Sequence, residues 1–200
     1  MKQPLVIVIE GADRTGKGTF IETIRRLATT EKIVHLHSTK PPELKWTPYT
    51  AVKAMNYKQW ANNHYSNLIT NVNILLKTND IIILDRSYLG EYVYGPLYRF
   101  TSYTDLDLIY FEENNALPEN TVLVYLTDSP DNLISREDGK SHTDNIAKKT
   151  VELNKFMNVI NNSLIVNKIV INWKIEDFNQ ATLDKYVGYI LKSNNQETQL

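Results

Sequence analysis

The sequence contains no cysteine, which removes disulfides, thiol chemistry and cysteine-ligated zinc together. Its longest apolar runs are strand-length, far below the ~18–20 residues of a membrane span. No cationic region precedes a long apolar stretch near the start, so no signal peptide is expected. Neither sign of charge dominates: 22 Lys and Arg face 23 Asp and Glu, for a net charge of -1. That balance gives no whole-chain basic field, and nucleic acid is not expected as the main partner. There is no internal repeat and no linker-like stretch. What is present is 200 residues, 42% hydrophobic and 22% charged. This is an ordinary globular make-up, large enough for one sizeable core. We expect a soluble cytoplasmic protein with one domain spanning residues 1–200.

The hydrophobic pattern alternates strand-like and helix-like stretches. Leu5 to Ile9 is five apolar residues in succession, as in a parallel strand covered on both faces. Gly18 to Thr29 follows as an amphipathic helix with Phe20, Ile21, Ile24 and Leu27 inward, then a short strand from Ile33 to Ser38. Thr50 to Lys77 is helical, with Trp60, His64, Leu68, Val72 and Leu75 on one stripe. Ile81 to Leu84 is a third strand, ending at Asp85-Arg86. Ser87 to Tyr103 reads as a loop rich in Tyr and Gly, followed by a helix from about Asp105 to Asn115. Thr121 to Leu126 is a fourth strand, and Ser129-Pro130-Asp131 opens a helix through Arg136, with Pro in the first turn. Residues 137–145 are polar and contain a glycine, the composition of a mobile loop. A helix from Ile146 to Asn161, a strand from Leu164 to Ile171, and a helix from Asp177 to Lys192 complete the order, with a frayed tail from Ser193. This alternation predicts an α/β fold in three layers, about five parallel strands with helices on both faces. Ligands of such sheets sit at the carboxyl ends of the strands, which places Asp13, Lys40, Asp85, Arg86 and Thr127 on one rim.

Two motifs on that rim carry chemistry. Gly11, four residues, then Gly16-Lys17 fits a phosphate-binding loop between a strand and a helix. Its glycines let successive N–H groups point at one centre, and Lys17 and the helix N-terminus add positive charge. The residue after Lys17 is Gly18, where a hydroxyl for Mg²⁺ usually stands; the hydroxyl comes one place later, at Thr19. Asp85-Arg86 is the second motif. A carboxylate there can orient waters on Mg²⁺, and a guanidinium can bridge two phosphate groups.

The segments Glu10-Gly11-Ala12-Asp13-Arg14-Thr15-Gly16-Lys17-Gly18-Thr19 and Asp85-Arg86-Ser87-Tyr88-Leu89-Gly90-Glu91-Tyr92-Val93-Tyr94 resemble, in order and spacing, the E-G-x-D-R-x-G-K-S-T and D-R-Y-x-x-S-x-x-A-Y motifs of the thymidylate kinase family. The Gly-Pro-Leu-Tyr insert within Tyr88 to Arg99 is closer to phage-type relatives, as for a virus-encoded enzyme acting in the host cytoplasm. The resemblance implies a P-loop kinase fold with a lid at about 137–145, and ATP-dependent phosphorylation of a deoxynucleoside monophosphate, dTMP to dTDP, with Mg²⁺. It implies catalytic roles for Arg14, Lys17, Asp85 and Arg86, and ATP contacts from Gly11, Asp13, Arg14, Thr15, Gly16, Lys17, Gly18, Thr19, Arg136 and Trp173. The acceptor would meet Asp13, Lys40, Trp60, His64, Arg86 and Tyr94, with Trp60 stacked on the base and His64 at its edge. Asp85 would hold the metal through water. A homodimer is an assembly the family resemblance also implies.

Two other readings compete. A deoxynucleoside kinase on the same fold would deprotonate a sugar hydroxyl and typically places a glutamate at the end of the second strand, where this sequence has Lys40. A guanine-nucleotide switch is excluded, because Asn167-Lys168 lies inside a strand and Val170 stands where its aspartate belongs.

Overall fold

The computed structural model describes residues 3–38, 51–99, 101–136, 139 and 141–196. Its centre is β1 (Leu5–Glu10), buried along its whole length. β3 (Ile81–Asp85) pairs with it in parallel on one side and β4 (Thr121–Thr127) on the other. β2 (Ile33–His37) and β5 (Asn167–Asn172) are the edges, giving a five-stranded sheet in the order β2-β3-β1-β4-β5. All four pairings are parallel. The two central apolar strands are covered on both faces, which is why their sequences show no alternation.

Helices form the outer layers. α1 (Lys17–Leu27) and α7 (Gln180–Gln196) cover the face carrying Leu5, Ile7, Ile9, Ile81 and Ile83. α2 (Ala51–Leu75), α3 (Tyr88–Tyr98), α4 (Asp105–Asn114) and α6 (Ile146–Asn162) cover the face of Val6, Val8, Ile82 and Leu84, with the short α5 (Pro130–Ser135) beside them. No helix among the described residues is long and apolar enough to cross a membrane.

Several boundaries differ from the sequence expectation. The Tyr- and Gly-rich stretch expected to be a loop contains the eleven-residue helix α3. Ser87 caps it by accepting from the Leu89 N–H, at 3.2 Å. Gly95 reflects crowding, since a Cβ there would collide with Thr101 and Glu91, whereas one on Gly90 would meet the Glu10 carboxylate at an ordinary contact distance of 3.4 Å. Pro96 stands in the last turn, close enough to the end for the helix to tolerate it. On α2 the buried stripe is Tyr57, Ala61, Tyr65, Ile69 and Val72, while Trp60, His64 and Leu68 flank it half-buried. β5 begins at Asn167 rather than Leu164, because Glu112 binds the Ser163 hydroxyl and the Leu164 N–H ahead of it. α7 begins at Gln180, where Asn179 accepts from the Thr182 N–H, and continues past Ser193 to Gln196.

Candidate active site

The carboxyl ends of β1, β3, β4 and β2 bring the loop after β1, Asp85-Arg86, Thr127-Asp128 and His37 to one rim. The loop after β1 curls through left-handed backbone at Gly11 (φ 149°), Arg14 (φ 73°) and Gly16 (φ 86°). A Cβ on Gly11 would lie 2.3 Å from the Leu126 carbonyl oxygen, and one on Gly16 would lie 2.6 Å from the Phe178 ring. Both positions therefore demand glycine on two grounds, backbone and space. Arg14 carries a side chain in the same region of φ, a strain typical of ligand loops. Thr15 closes the loop by donating its hydroxyl to the Ala12 carbonyl, at 2.9 Å. From below, the buried Trp173 indole N–H donates to the Thr15 carbonyl at 2.8 Å. Phe178 packs edge-on against that indole, with ring centroids 4.9 Å apart.

Lys17 opens α1 and is buried, its Nζ donating to the carbonyls of Gly11 (2.8 Å) and Ala12 (2.7 Å). Burial, and then the nearby Arg86, push its pKa down to about 8 against the pull of Asp13, Glu10 and Asp85. An anion placed against the loop favours the charged form of this lysine. Gly18 and Thr19 in the first turn are exposed, and a Cβ on Gly18 would meet nothing within 4 Å.

Arg86 also adopts left-handed backbone (φ 69°) and donates through its guanidinium to the Asp13 carboxylate. Burial alone would raise the Asp13 pKa, but the Arg86 and Lys17 charges outweigh it and hold the carboxyl below its usual range. Burial likewise opposes the Arg86 charge, and Tyr94 and Asp13 facing it more than compensate. Glu10, which sequence reasoning passed over, is buried and accepts from the Ser87 N–H (2.6 Å), the Ser87 hydroxyl (2.7 Å) and the Gly90 N–H (3.3 Å). Burial raises its pKa in spite of those bonds. It fixes the start of α3, and hence Arg86, to the end of β1.

Asp85 is met by two histidines that sequence reasoning missed, one within hydrogen-bond reach and one just beyond it. His37 Nδ1 lies 2.8 Å and His35 Nε2 lies 3.6 Å from Asp85 Oδ2. The parallel register of β2 and β3 sets His37 directly opposite Asp85. The possible ligand atoms of these three residues lie within 4.8 Å of one another, a spacing that could hold a metal ion. Arg25, however, donates to His35 Nδ1 at 2.8 Å, which leaves the proton of a neutral His35 on Nε2, facing the carboxylate. Asp85 is therefore oriented by His37, with His35 Nε2 facing it from beyond hydrogen-bond reach. Asp85 Oδ1 is buried and has no hydrogen-bond partner among the described residues. That free acceptor, with no hydroxyl at position 18, suits a hard cation held through water better than direct ligation.

Arg136, after α5, donates to the Asn132 carbonyl (2.9 Å) and the Arg14 carbonyl (3.2 Å) and pairs with Asp128, so it ties that helix to the phosphate loop. Behind Tyr94, the buried Lys149 and Glu152 of α6 pair at 3.2 Å. Tyr98 donates to Glu152 at 2.8 Å and stacks on His142, with centroids 4.6 Å apart. Trp60 and His64 share one face of α2, as their spacing predicts, and stack on each other at 5.0 Å and 9°. Lys40 lies outside the described residues, as do 137, 138 and 140 of the expected lid.

Among solved structures, this chain is similar to thymidylate kinase from Candida albicans (18% identity, 96% of this chain and 93% of that one, TM-score 0.62). It is similar to the YorR protein from Bacillus subtilis in complex with phosphorylated GDP (17% identity, 95% and 97% covered, TM-score 0.60). It also resembles deoxyadenosine kinase from M. mycoides with bound dCTP (18% identity, 94% and 100% covered, TM-score 0.52). At these identities the likeness shows the fold. No curated protein matches the chain. The family model described as thymidylate kinase matches residues 9–182, nearly the whole sequence, including the loop at 11–17 and the Asp85-Arg86 pair. This chain belongs to the thymidylate kinase family: it is a nucleoside monophosphate kinase that phosphorylates dTMP to dTDP with ATP as donor.

Proposed function

We propose the following division of labour on the rim. The N–H groups of residues 11–17 and the Lys17 ammonium hold the donor phosphates, Lys17 exchanging its two carbonyl partners for phosphate oxygens. Arg86 lies between donor and acceptor and stabilises charge on the transferred group, with Arg14 on the outer lip of the loop. Asp13 serves the acceptor sugar hydroxyl, Tyr94 walls the sugar, Trp60 stacks on the base and His64 stands at its edge. Arg136 and the 137–145 segment close over the donor and exclude water. Trp173 supports the loop from beneath. Lys40 is assigned to the acceptor phosphate on its sequence position alone. The copies of the chain would pair as a homodimer, as the family resemblance implies.

In the transfer, an oxygen of the acceptor's phosphate attacks the γ-phosphorus and the bond to the β,γ-bridging oxygen breaks. The attacking oxygen is already ionised, so no general base is needed, and positioning and charge carry the catalysis. Mg²⁺, when bound with the donor, would be held through water by Asp85 and would neutralise phosphate charge. A nucleoside acceptor would instead need a carboxylate base. Glu10 is a poor candidate, since it is buried and its Oε1 already accepts from Ser87 and Gly90.

The observation that carries this reading is the convergence of Lys17, Asp13 and Arg86 on the mouth of the phosphate loop. Lys17→Ala and Arg86→Ala test it by ADP release from ATP and dTMP. Each should lower kcat by at least ~10²-fold with the fold retained. Near-native turnover in either folded variant overturns the assignment.

A further inference from the structure

His35 has no part in the proposed phosphoryl transfer, yet β2 aims it at the same carboxylate as His37. The two histidines are two residues apart on one strand, so their side chains share a face of the sheet. The parallel register sets Asp85 of β3 opposite His37. The Ser38 N–H then donates to the Asp85 carbonyl at 3.1 Å, which continues the pairing past the end of β2 and pins the two strand ends together. Backbone register therefore fixes where the three side chains meet.

Two atoms of this cluster are buried without a hydrogen-bond partner among the described residues, His35 Nε2 and Asp85 Oδ1. Unpaired buried polar atoms are costly, and two of them on facing side chains call for a ligand or a water. The donor set indicates which ligand. The carboxylate supplies the cluster's negative charge, and Arg25 and Lys17 stand close by. That is a poor cage for direct capture of a hard cation such as Mg²⁺, which takes oxygen ligands and keeps its waters. Imidazole nitrogen suits the borderline cations of the first transition row, zinc among them. The spacing agrees. Bonds of about 2.0–2.2 Å to a tetrahedral ion separate its ligand atoms by about 3.3–3.6 Å. His35 Nε2 lies 3.6 Å from Asp85 Oδ2, and the ligand atoms of all three residues lie within 4.8 Å of one another. His37 Nδ1, at 2.8 Å, has to withdraw by roughly half an ångström, and its side chain is 52% exposed and able to do so.

We infer that His35, His37 and Asp85 form a binding site for a borderline divalent cation of the Zn²⁺ class, with solvent at its open position. Arg25 is the gate. Its guanidinium donates to His35 Nδ1, which keeps a neutral His35 protonated at Nε2, the atom the cation needs. Binding requires that bond to break, after which His35 carries its proton on Nδ1 and offers the lone pair of Nε2. Arg25 is 43% exposed and already paired with Glu22, so it swings away without leaving a buried charge behind. Occupancy takes Asp85 from the waters it would orient on Mg²⁺. That consequence, unlike the site itself, rests on the role given to Asp85 under the proposed function.

The test titrates Zn²⁺ into the full chain, free of any histidine tag and of nucleotide, by isothermal calorimetry, with Co²⁺ as a spectroscopic probe of the ligand set. The native chain should bind one equivalent saturably, and Co²⁺ should give the intense visible absorption of a low-coordinate nitrogen and oxygen site. His35→Ala and His37→Ala should each weaken Zn²⁺ binding by at least ~100-fold, since a lost ligand costs no less than a lost outer partner. Arg25→Ala, an exposed change with little risk to folding, should tighten binding by ~10-fold by releasing Nε2. No saturable binding to the native chain, or native affinity in both histidine variants, overturns the site. Native affinity in Arg25→Ala overturns the gate. With ATP and dTMP, Zn²⁺ buffered to saturate the site should raise the Mg²⁺ concentration for half-maximal activity several-fold in the native chain and not in His35→Ala. Zinc bound with unaltered Mg²⁺ dependence removes Asp85 from its proposed Mg²⁺ role and leaves the site standing.

Discussion

Trp173 gives a prediction that separates support of the phosphate loop from direct contact with ATP. Its indole N–H holds the Thr15 carbonyl at 2.8 Å, its ring is 6% exposed, and Phe178 links it to the underside of Gly16. Trp173→Phe keeps an aromatic face but deletes the donor and part of the ring. The Thr15 carbonyl left without its partner costs about 1–3 kcal/mol. The space vacated by the smaller ring adds roughly 1 kcal/mol or more. For a chain of this size each kcal/mol moves Tm by about 2–4 °C, so the melting temperature should fall on the order of 10 °C. Because the lost bond lies behind Thr15–Lys17, the KM for ATP should rise several-fold more than the KM for dTMP. Differential scanning calorimetry and initial rates at varied ATP measure both effects. A Tm within about 1 °C of native, with unchanged KM for ATP, refutes the support role. A melting temperature that falls while both KM values stay put would show that the bond stabilises the fold without shaping the loop.

Other outcomes follow from the buried charges. Burial pushes the Glu91 pKa up to about 7, outweighing the Arg99 charge and the Tyr57 hydrogen bond. A carboxyl whose folded pKa is raised binds its proton more tightly when folded, so stability from this group falls as pH rises from about 4.5 to about 7. The difference is on the order of 3 kcal/mol. Urea denaturation of Glu91→Gln should lack that downward slope, and a variant with the native slope contradicts the assignment. His37→Ala should raise the Mg²⁺ concentration for half-maximal activity by ~10-fold by freeing Asp85, and His37→Asn, whose amide can replace Nδ1, should restore most of it. Equal Mg²⁺ dependence in all three proteins removes His37 from the site.

The parts of the fold legible in the sequence carry local signals. Five apolar runs gave five strands, and glycine spacing before Lys17 gave the phosphate loop, because a strand-to-helix turn around an anion has its requirements in neighbouring residues. α3 was not legible, since Gly90, Gly95 and Pro96 are ordinary marks of a loop. Gly95 is required by Glu91 and Thr101, side chains that only the folded chain brings near. The α2 stripe was read one residue off: Trp60 and His64 share a face, but Tyr57, Ala61 and Tyr65 take the core. Asp85-Arg86 was legible as a motif. Its partners were not, because His35 and His37 reach Asp85 through the register of β2 on β3, and Asp13 meets Arg86 across 73 residues of chain. Trp173 was read as an ATP contact from its place after the last strand; its burial and its bond to the Thr15 carbonyl were not legible, because they join residues 158 apart in the chain.

The central claim is that this rim phosphorylates a substrate that already carries a phosphate. The most direct test offers the native enzyme thymidine and dTMP in parallel with ATP and Mg²⁺, and follows ADP release. A nucleoside leaves the acceptor-side charge of Arg86 without its anion, so dTMP should be used at least ~10²-fold better as kcat/KM. Thymidine used as well as dTMP contradicts the account and points to a deoxynucleoside kinase.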